Sequence, residues 1–161
     1  MGELTYSDPT ASERDVQLYY LNKVRRAVVR TTECLTDEQL RSPGVASGTS
    51  LLWLLQHLAA VERHWFRRVF LGEDITPDYR RPVPAGTTYA EVRADYERAC
   101  AESDEIIRRH EDLSAMARVP NPGEDQLDTL RVIVAHLIEE TARHAGHADI
   151  LRERIDGTTG L

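Results

Sequence analysis

The stretch LRVIVAHLIEETARHAGHADILRERI, residues 130–155, decides the fold. Leu130, Val134, Leu137, Thr141, His144, Ala148, Leu151 and Ile155 follow one another in alternating steps of four and three. That is the helical period, and it lays a seam along one face, as in a helix bundle. The spacing predicts a helix from about Asp125 to Ile155, stopped by Gly157.

Outward from this segment, long Pro-free stretches alternate with punctuated ones. Residues 111–125 hold Pro120, Pro122 and Gly123 and read as a crossover loop. Before it, a helix is expected from Thr87 or Thr88 to about His110, with Val92, Tyr96, Ala99, Cys100, Ile106 and Ile107 as its apolar face. Residues 73–86, with Pro77, Pro82, Pro84 and Gly86, form a second crossover. A helix starting at Thr49 or Ser50 runs to about Leu71, where Gly72 ends it; Leu51, Leu54, Leu58, Val61, Trp65 and Val69 are its stripe. The first helix spans about Ser12 to Cys34, with Leu21, Val24, Val28, Thr31 and Leu35 recurring at helical steps. After it, Thr36 to Gln39 makes a capping box for a short turn. No strand-like alternation and no repeat is visible. The expectation is an all-α, up-down four-helix bundle with long crossover loops, a single domain over residues 1–161 with its core from about 12 to 156.

Composition bounds the rest. A chain of 161 residues with 41% hydrophobic content suits one globular domain and is too apolar for disorder. No apolar run approaches the ~18 residues of a membrane span. Met1 to Thr10 show neither a basic nor an apolar leader segment, so no signal peptide and no membrane partner is expected. The formal charge of −7 argues against nucleic acid as a partner. One Lys against nineteen Arg is the skew of GC-rich codons and points to a high-GC bacterium. Cys34 and Cys100 lack CxxC spacing; two ordinary buried thiols in a reducing cytoplasm are expected.

Chemistry concentrates in the histidines. Five of the six lie in two apolar segments: His57, His64, His136, His144 and His147. With Glu140 as zero and about 100° per residue, His144 lies near 40°, His147 near −20° and His136 near −40°. His57 borders the buried stripe of its helix and can face inward. Burying a carboxylate and several imidazoles without partners costs several kcal/mol. A divalent metal compensates it directly, since imidazole nitrogen and carboxylate oxygen suit Zn²⁺, Ni²⁺ or Fe²⁺. Two ligands at i and i+4 plus one from a facing helix is how bundles build such sites, and three ligands leave positions open for catalysis. The plainer alternatives are a hydrogen-bonded core His144 and a solvated pair of Glu140 with Arg143 or His144. His64 is expected at the surface or behind the ligands, and His110 as a cation at a helix end. Gly146 is the only glycine inside an expected helix, where it costs about 1 kcal/mol, and so suggests close approach by a backbone, a cofactor or a substrate.

The segment from Ser50 through Trp53 and His57 to Leu58, with the later Glu140-Thr-Ala-Arg-His144-Ala-Gly146-His147, resembles the DinB-like superfamily over about residues 12–156. Many of its members carry a His on the second helix and an HxxxHxGQ-like string on the last. Glu140 stands at the first ligand of that string, His144 at the second, Gly146 at its glycine and His147 at its glutamine. Leu35 to Leu40 is similar to the family's turn after the first helix. The departure is Glu140 for His; mycothiol-dependent maleylpyruvate isomerase is similar in using a His, Glu, His set. The resemblance implies a metal centre of His57, Glu140 and His144, with Zn, Ni or Fe, acting with a low-molecular-weight thiol such as mycothiol. It implies a thiol S-transferase or related isomerase for a small electrophile. His147 is then a fourth ligand, a group behind the ligands or the catalytic base, while Gly146 borders the cosubstrate and Trp53 either lines the pocket beside it or belongs to the core. A cytoplasmic, actinobacterial homodimer is expected. The competing reading is a noncatalytic, stress-linked bundle that binds a metal or ligand without transferase activity.

Overall fold

A Ser or Thr side chain opens each α-helix of the computed structural model, which describes residues 10–160. Ser12, Thr36, Ser50, Thr88 and Thr129 hold extended backbone at the N-cap and accept from the amide three residues on. Thr36 with Gln39 and Thr88 with Glu91 close full capping boxes. The helices are α1 (Glu13–Arg30), α2 (Asp37–Arg41), α3 (Leu51–Arg63), α4 (Tyr89–Arg108) and α5 (Leu130–Asp156). α3 continues as a π-helix over His64–Phe70. α1 packs on α4 and α5, and α3 packs on the same two from the other side. The result is the expected all-α bundle; among the described residues the only β pairing is an isolated bridge between Met116 and Thr129.

The core divides into two apolar clusters. One gathers Leu21, Phe66, Ile107 and Leu137; the other gathers Val28, Leu58, Ala99 and Ala148. Between them each long helix contributes a buried polar residue: Arg25, Glu62, Ser103 and Thr141. Arg25 donates from Nε and Nη2 to the two oxygens of Glu62 at 2.8 and 2.6 Å, and from Nη1 to Asp104 at 2.6 Å. Burial is the largest influence and works against its charge, but the acidic neighbours, Glu62 foremost and Asp104 among them, together outweigh it and raise the guanidinium's pKa.

Several expectations need correction. The last helix starts at Leu130, not near Asp125. The preceding chain instead spends its backbone groups on tertiary pairing: Ala117 N–H donates to Asp128 O, Leu130 N–H to Ala115 O and Arg131 N–H to Leu113 O. The first helix stops at Arg30, and Cys34, expected buried, is exposed in a turn at φ +61°. On α1 it is Arg25, outside the expected stripe, that is buried, while Val24 is partly covered. Gly72 does end the second long helix; its φ is +67°, and a Cβ there would come within 3.0 Å of Arg118 Cβ. The leader reading of Met1 to Pro9 lies outside the described residues. No helix among those described is long and apolar enough to cross a membrane.

Candidate metal centre

α3 and α5 face each other, and their ridges bring three polar side chains together. His57 comes from the middle of α3; Glu140 and His144 come from successive turns of α5. Each offers a ligand atom, and these atoms lie within 4.8 Å of one another. The side chains are 11%, 14% and 13% exposed, respectively, so the Glu140 carboxylate is not the solvated surface partner of the plainer reading.

The protons follow from the partners. His57 Nδ1 is 2.7 Å from the Tyr79 carbonyl. A carbonyl only accepts, so Nδ1 carries the hydrogen and the neutral ring has its lone pair on Nε2. That Nε2 is buried without a hydrogen-bond partner and faces Glu140 Oε1 at 3.6 Å. In the neutral ring that a metal requires, Nε2 and Glu140 Oε1 are two acceptors facing each other. Glu140 Oε1 also lies 3.1 Å from His144 Nε2, and its Oε2 takes Arg143 Nη1 at 2.9 Å. Burial, then the neighbouring His57, lowers the His144 pKa, which favours the neutral imidazole a metal requires.

His147 stands behind His144, not beside the three ligand atoms. Its Nδ1 is 3.3 Å from His144 Nδ1, the ring nitrogen remote from Glu140, and the residue is exposed. Trp53 stacks on His57, ring centroids 4.9 Å apart and 20° between planes. Gly146 is exposed with nothing within 4 Å of where a Cβ would stand, so no backbone approaches it. It lies on the helix flank turned away from Glu140, about 120° round the axis.

His64, expected at the surface or behind the ligands, is 5% exposed. Seven residues beyond His57, it falls on the same helical face. Its Nε2 is 3.0 Å from Asn121 Oδ1, and burial lowers its pKa. His136 packs on Trp65 with centroids 4.6 Å apart. Together these residues and Tyr79 line a half-open cavity of about 190 Å³, which His57 and Glu140 also border. The sequence placed His136 one turn before Glu140 on the same face, and the His57–His64 step of seven carried the same signal. Tyr79 and Asn121 come from crossover loops, where no periodicity could point to them. His110, by contrast, sits as expected at the end of α4, its Nδ1 2.8 Å from the Ile106 carbonyl.

A comparison with curated proteins gives no match. A family model described as mycothiol-S-transferase matches residues 17–157, so the chain belongs to that family, within the DinB-like superfamily.

Proposed function

We propose, from that membership, that the chain is a divalent-metal-dependent transferase that joins the thiol of mycothiol to a small electrophile. His57 Nε2, Glu140 Oε1 and His144 Nε2 hold the metal. The supporting observation is the buried lone pair of His57 Nε2 opposite a carboxylate oxygen, an arrangement that a cation between them turns from repulsive to attractive. A bound Zn²⁺, Ni²⁺ or Fe²⁺ lowers the pKa of a coordinated thiol, so that the thiolate exists at neutral pH.

The chain's own groups do the rest. Tyr79 O fixes the tautomer of His57, and Trp53 fixes its plane. Arg143 holds the second oxygen of Glu140. With Nε2 of His144 turned to the metal, its Nδ1–H donates to His147 Nδ1, which orients the ring; the thiol proton passes to solvent water. In the transfer, the thiol loses its proton and its sulfur bonds to the electrophilic carbon. The displaced electron pair departs with the leaving group or moves to the adjoining carbon. Free Cys34 and Cys100 fit a cytoplasmic setting.

The test is metal analysis of protein purified without an affinity tag. About one transition metal per chain is expected, lost in His144→Ala. Calorimetry with mycothiol should then show binding to the metal-loaded protein alone. Metal-free protein whose thermal stability is unchanged by His144→Ala overturns the reading; a retained metal without thiol binding favours the noncatalytic one.

A further inference from the structure

The cavity beside the triad has a chemical character of its own. It would hold the volume of about six water molecules, enough for one substituted ring. Its sides are ring faces and edges: Trp65 against His136, and Tyr79 edge-on to His64 at 5.6 Å between centroids. No Lys or Arg lines it, and the one side chain there with a fixed charge is the carboxylate of Glu140. A second anion placed in this space would therefore meet a like charge and no Lys or Arg on the lining.

The far end carries one unmatched polar atom. Asn121 Nδ2 donates to Glu124 at 3.0 Å, which sets the amide so that Oδ1 accepts from His64 Nε2–H at 3.0 Å. Burial keeps His64 neutral, so its Nδ1 is a bare acceptor. That atom is buried and has no partner in the protein, in a residue that lines the cavity. A buried acceptor left unmatched is costly, and a ligand donor removes the cost.

We propose that this cavity receives the electrophile and selects an uncharged, planar molecule of one-ring size bearing a hydrogen-bond donor, which His64 Nδ1 accepts. This assignment rests on the transferase reading for the identity of the occupant as substrate; the selectivity is a property of the cavity itself.

Trp53 and Trp65 are the only tryptophans, so Trp53→Phe leaves Trp65 as a fluorescent reporter on the cavity wall. Metal-free Trp53→Phe protein is titrated with three nitroarenes of one shape: 4-nitrobenzyl alcohol, 4-nitrotoluene and 4-nitrobenzoate. Quenching by the alcohol should saturate at about 3- to 10-fold lower concentration than quenching by the toluene, the worth of one hydrogen bond. The benzoate should bind most weakly. Adding His64→Phe should bring the alcohol to the level of the toluene. So should Asn121→Ala, which frees the His64 tautomer without touching its ring. Equal binding of alcohol and toluene, or preference for the benzoate, overturns the proposal. Because these titrations use no metal, selective binding in a chain that proves to hold none would sink the transferase reading and leave the cavity's selectivity standing. A metal-loaded chain with no selectivity would do the reverse.

Discussion

Replacing Glu140 by Gln separates a metal ligand from a structural ion pair, because only the second role predicts a large loss of metal-free stability. In metal-free protein the carboxylate faces His57 Nε2 at 3.6 Å, and that nitrogen has no hydrogen-bond partner. An amide placed with its oxygen toward Arg143 puts its NH₂ toward His57 and His144, where it can donate to the unpartnered His57 Nε2 and, with His144 in its Nδ1–H tautomer, to His144 Nε2. What is lost is an i,i+3 pair with a half-exposed Arg143, about 0.3–0.5 kcal/mol, and the charge on one hydrogen bond to His144, about 1 kcal/mol. What is gained is one neutral hydrogen bond, about 0.5–1.5 kcal/mol. Glu140→Gln should therefore leave metal-free stability within about 1 kcal/mol of the parent. Metal binding responds differently. At a metal concentration of 100 times the dissociation constant, the parent gains about 2.7 kcal/mol, or about 5–11 °C in Tm for a chain of this size. Loss of a ligand weakens affinity by at least the ~100-fold that loss of an outer partner can cost, which cuts the gain to about 0.4 kcal/mol, or 1–2 °C. Thermal melts of chelated, untagged protein with and without Zn²⁺ read both quantities. A metal-free loss above about 2 kcal/mol, or an undiminished metal shift in the variant, refutes the ligand role.

Three further outcomes test the fold around the site. Arg25→Met strands the buried Glu62 carboxylate and should cost about 3–5 kcal/mol in urea unfolding, largely restored when Glu62→Leu and Asp104→Asn are added; a cost below 1 kcal/mol would deny the buried pair its role. Burial pushes the Cys100 thiol up to about 12 while Cys34 is exposed, so a disulfide reagent at pH 8 should modify one thiol fast and the other only on unfolding. A folded pKa above the unfolded value near 9 means that stability is complete below pH 9 and falls toward pH 12, by at most about 1.4 kcal/mol per unit, a slope that Cys100→Ala should reduce. Gly72→Ala should cost more than the ~1 kcal/mol of a left-handed non-glycine residue, since its Cβ also presses on Arg118; an unchanged Tm would contradict the close packing there.

The helices were legible because each carries its own signals. The seam from Leu130 to Ile155, the Thr36 and Thr88 boxes and the left-handed Gly72 and Gly157 are local features, and local chemistry enforces them. The α5 boundary failed for the opposite reason: residues 113–131 pair with one another through the backbone, and backbone pairing leaves no mark on side-chain spacing. The triad was readable because two of its members share a helix, where spacing fixes direction. Its surroundings were not. Tyr79 and Asn121 reach His57 and His64 from crossover loops, and Arg25 finds Glu62 across the bundle, 37 positions along the chain. A buried arginine looks like a surface arginine until its partner is known.

The placement of the triad follows from the division of the core. A carboxylate and two imidazoles cannot interrupt a continuous apolar seam without displacing packing contacts and losing their own hydration. Here the two apolar clusters already part at a polar layer, marked by Arg25, Glu62, Ser103 and Thr141. Glu140 lies beside Thr141 at that layer, and His144 follows one turn on, before Ala148 resumes the second cluster. On α3, His57 is flanked by Leu55 and Leu58, whose side chains keep the second cluster closed. The site thus occupies the level where the bundle has forgone apolar contact, a level at which Arg25 also pairs with Glu62 and Asp104. A metal ligand set needs groups that are desolvated yet not packed against, and a bundle can supply that only where its seam is broken. The polar positions in the seam of α5 are for that reason the condition for a site in this fold, and not a defect in its packing.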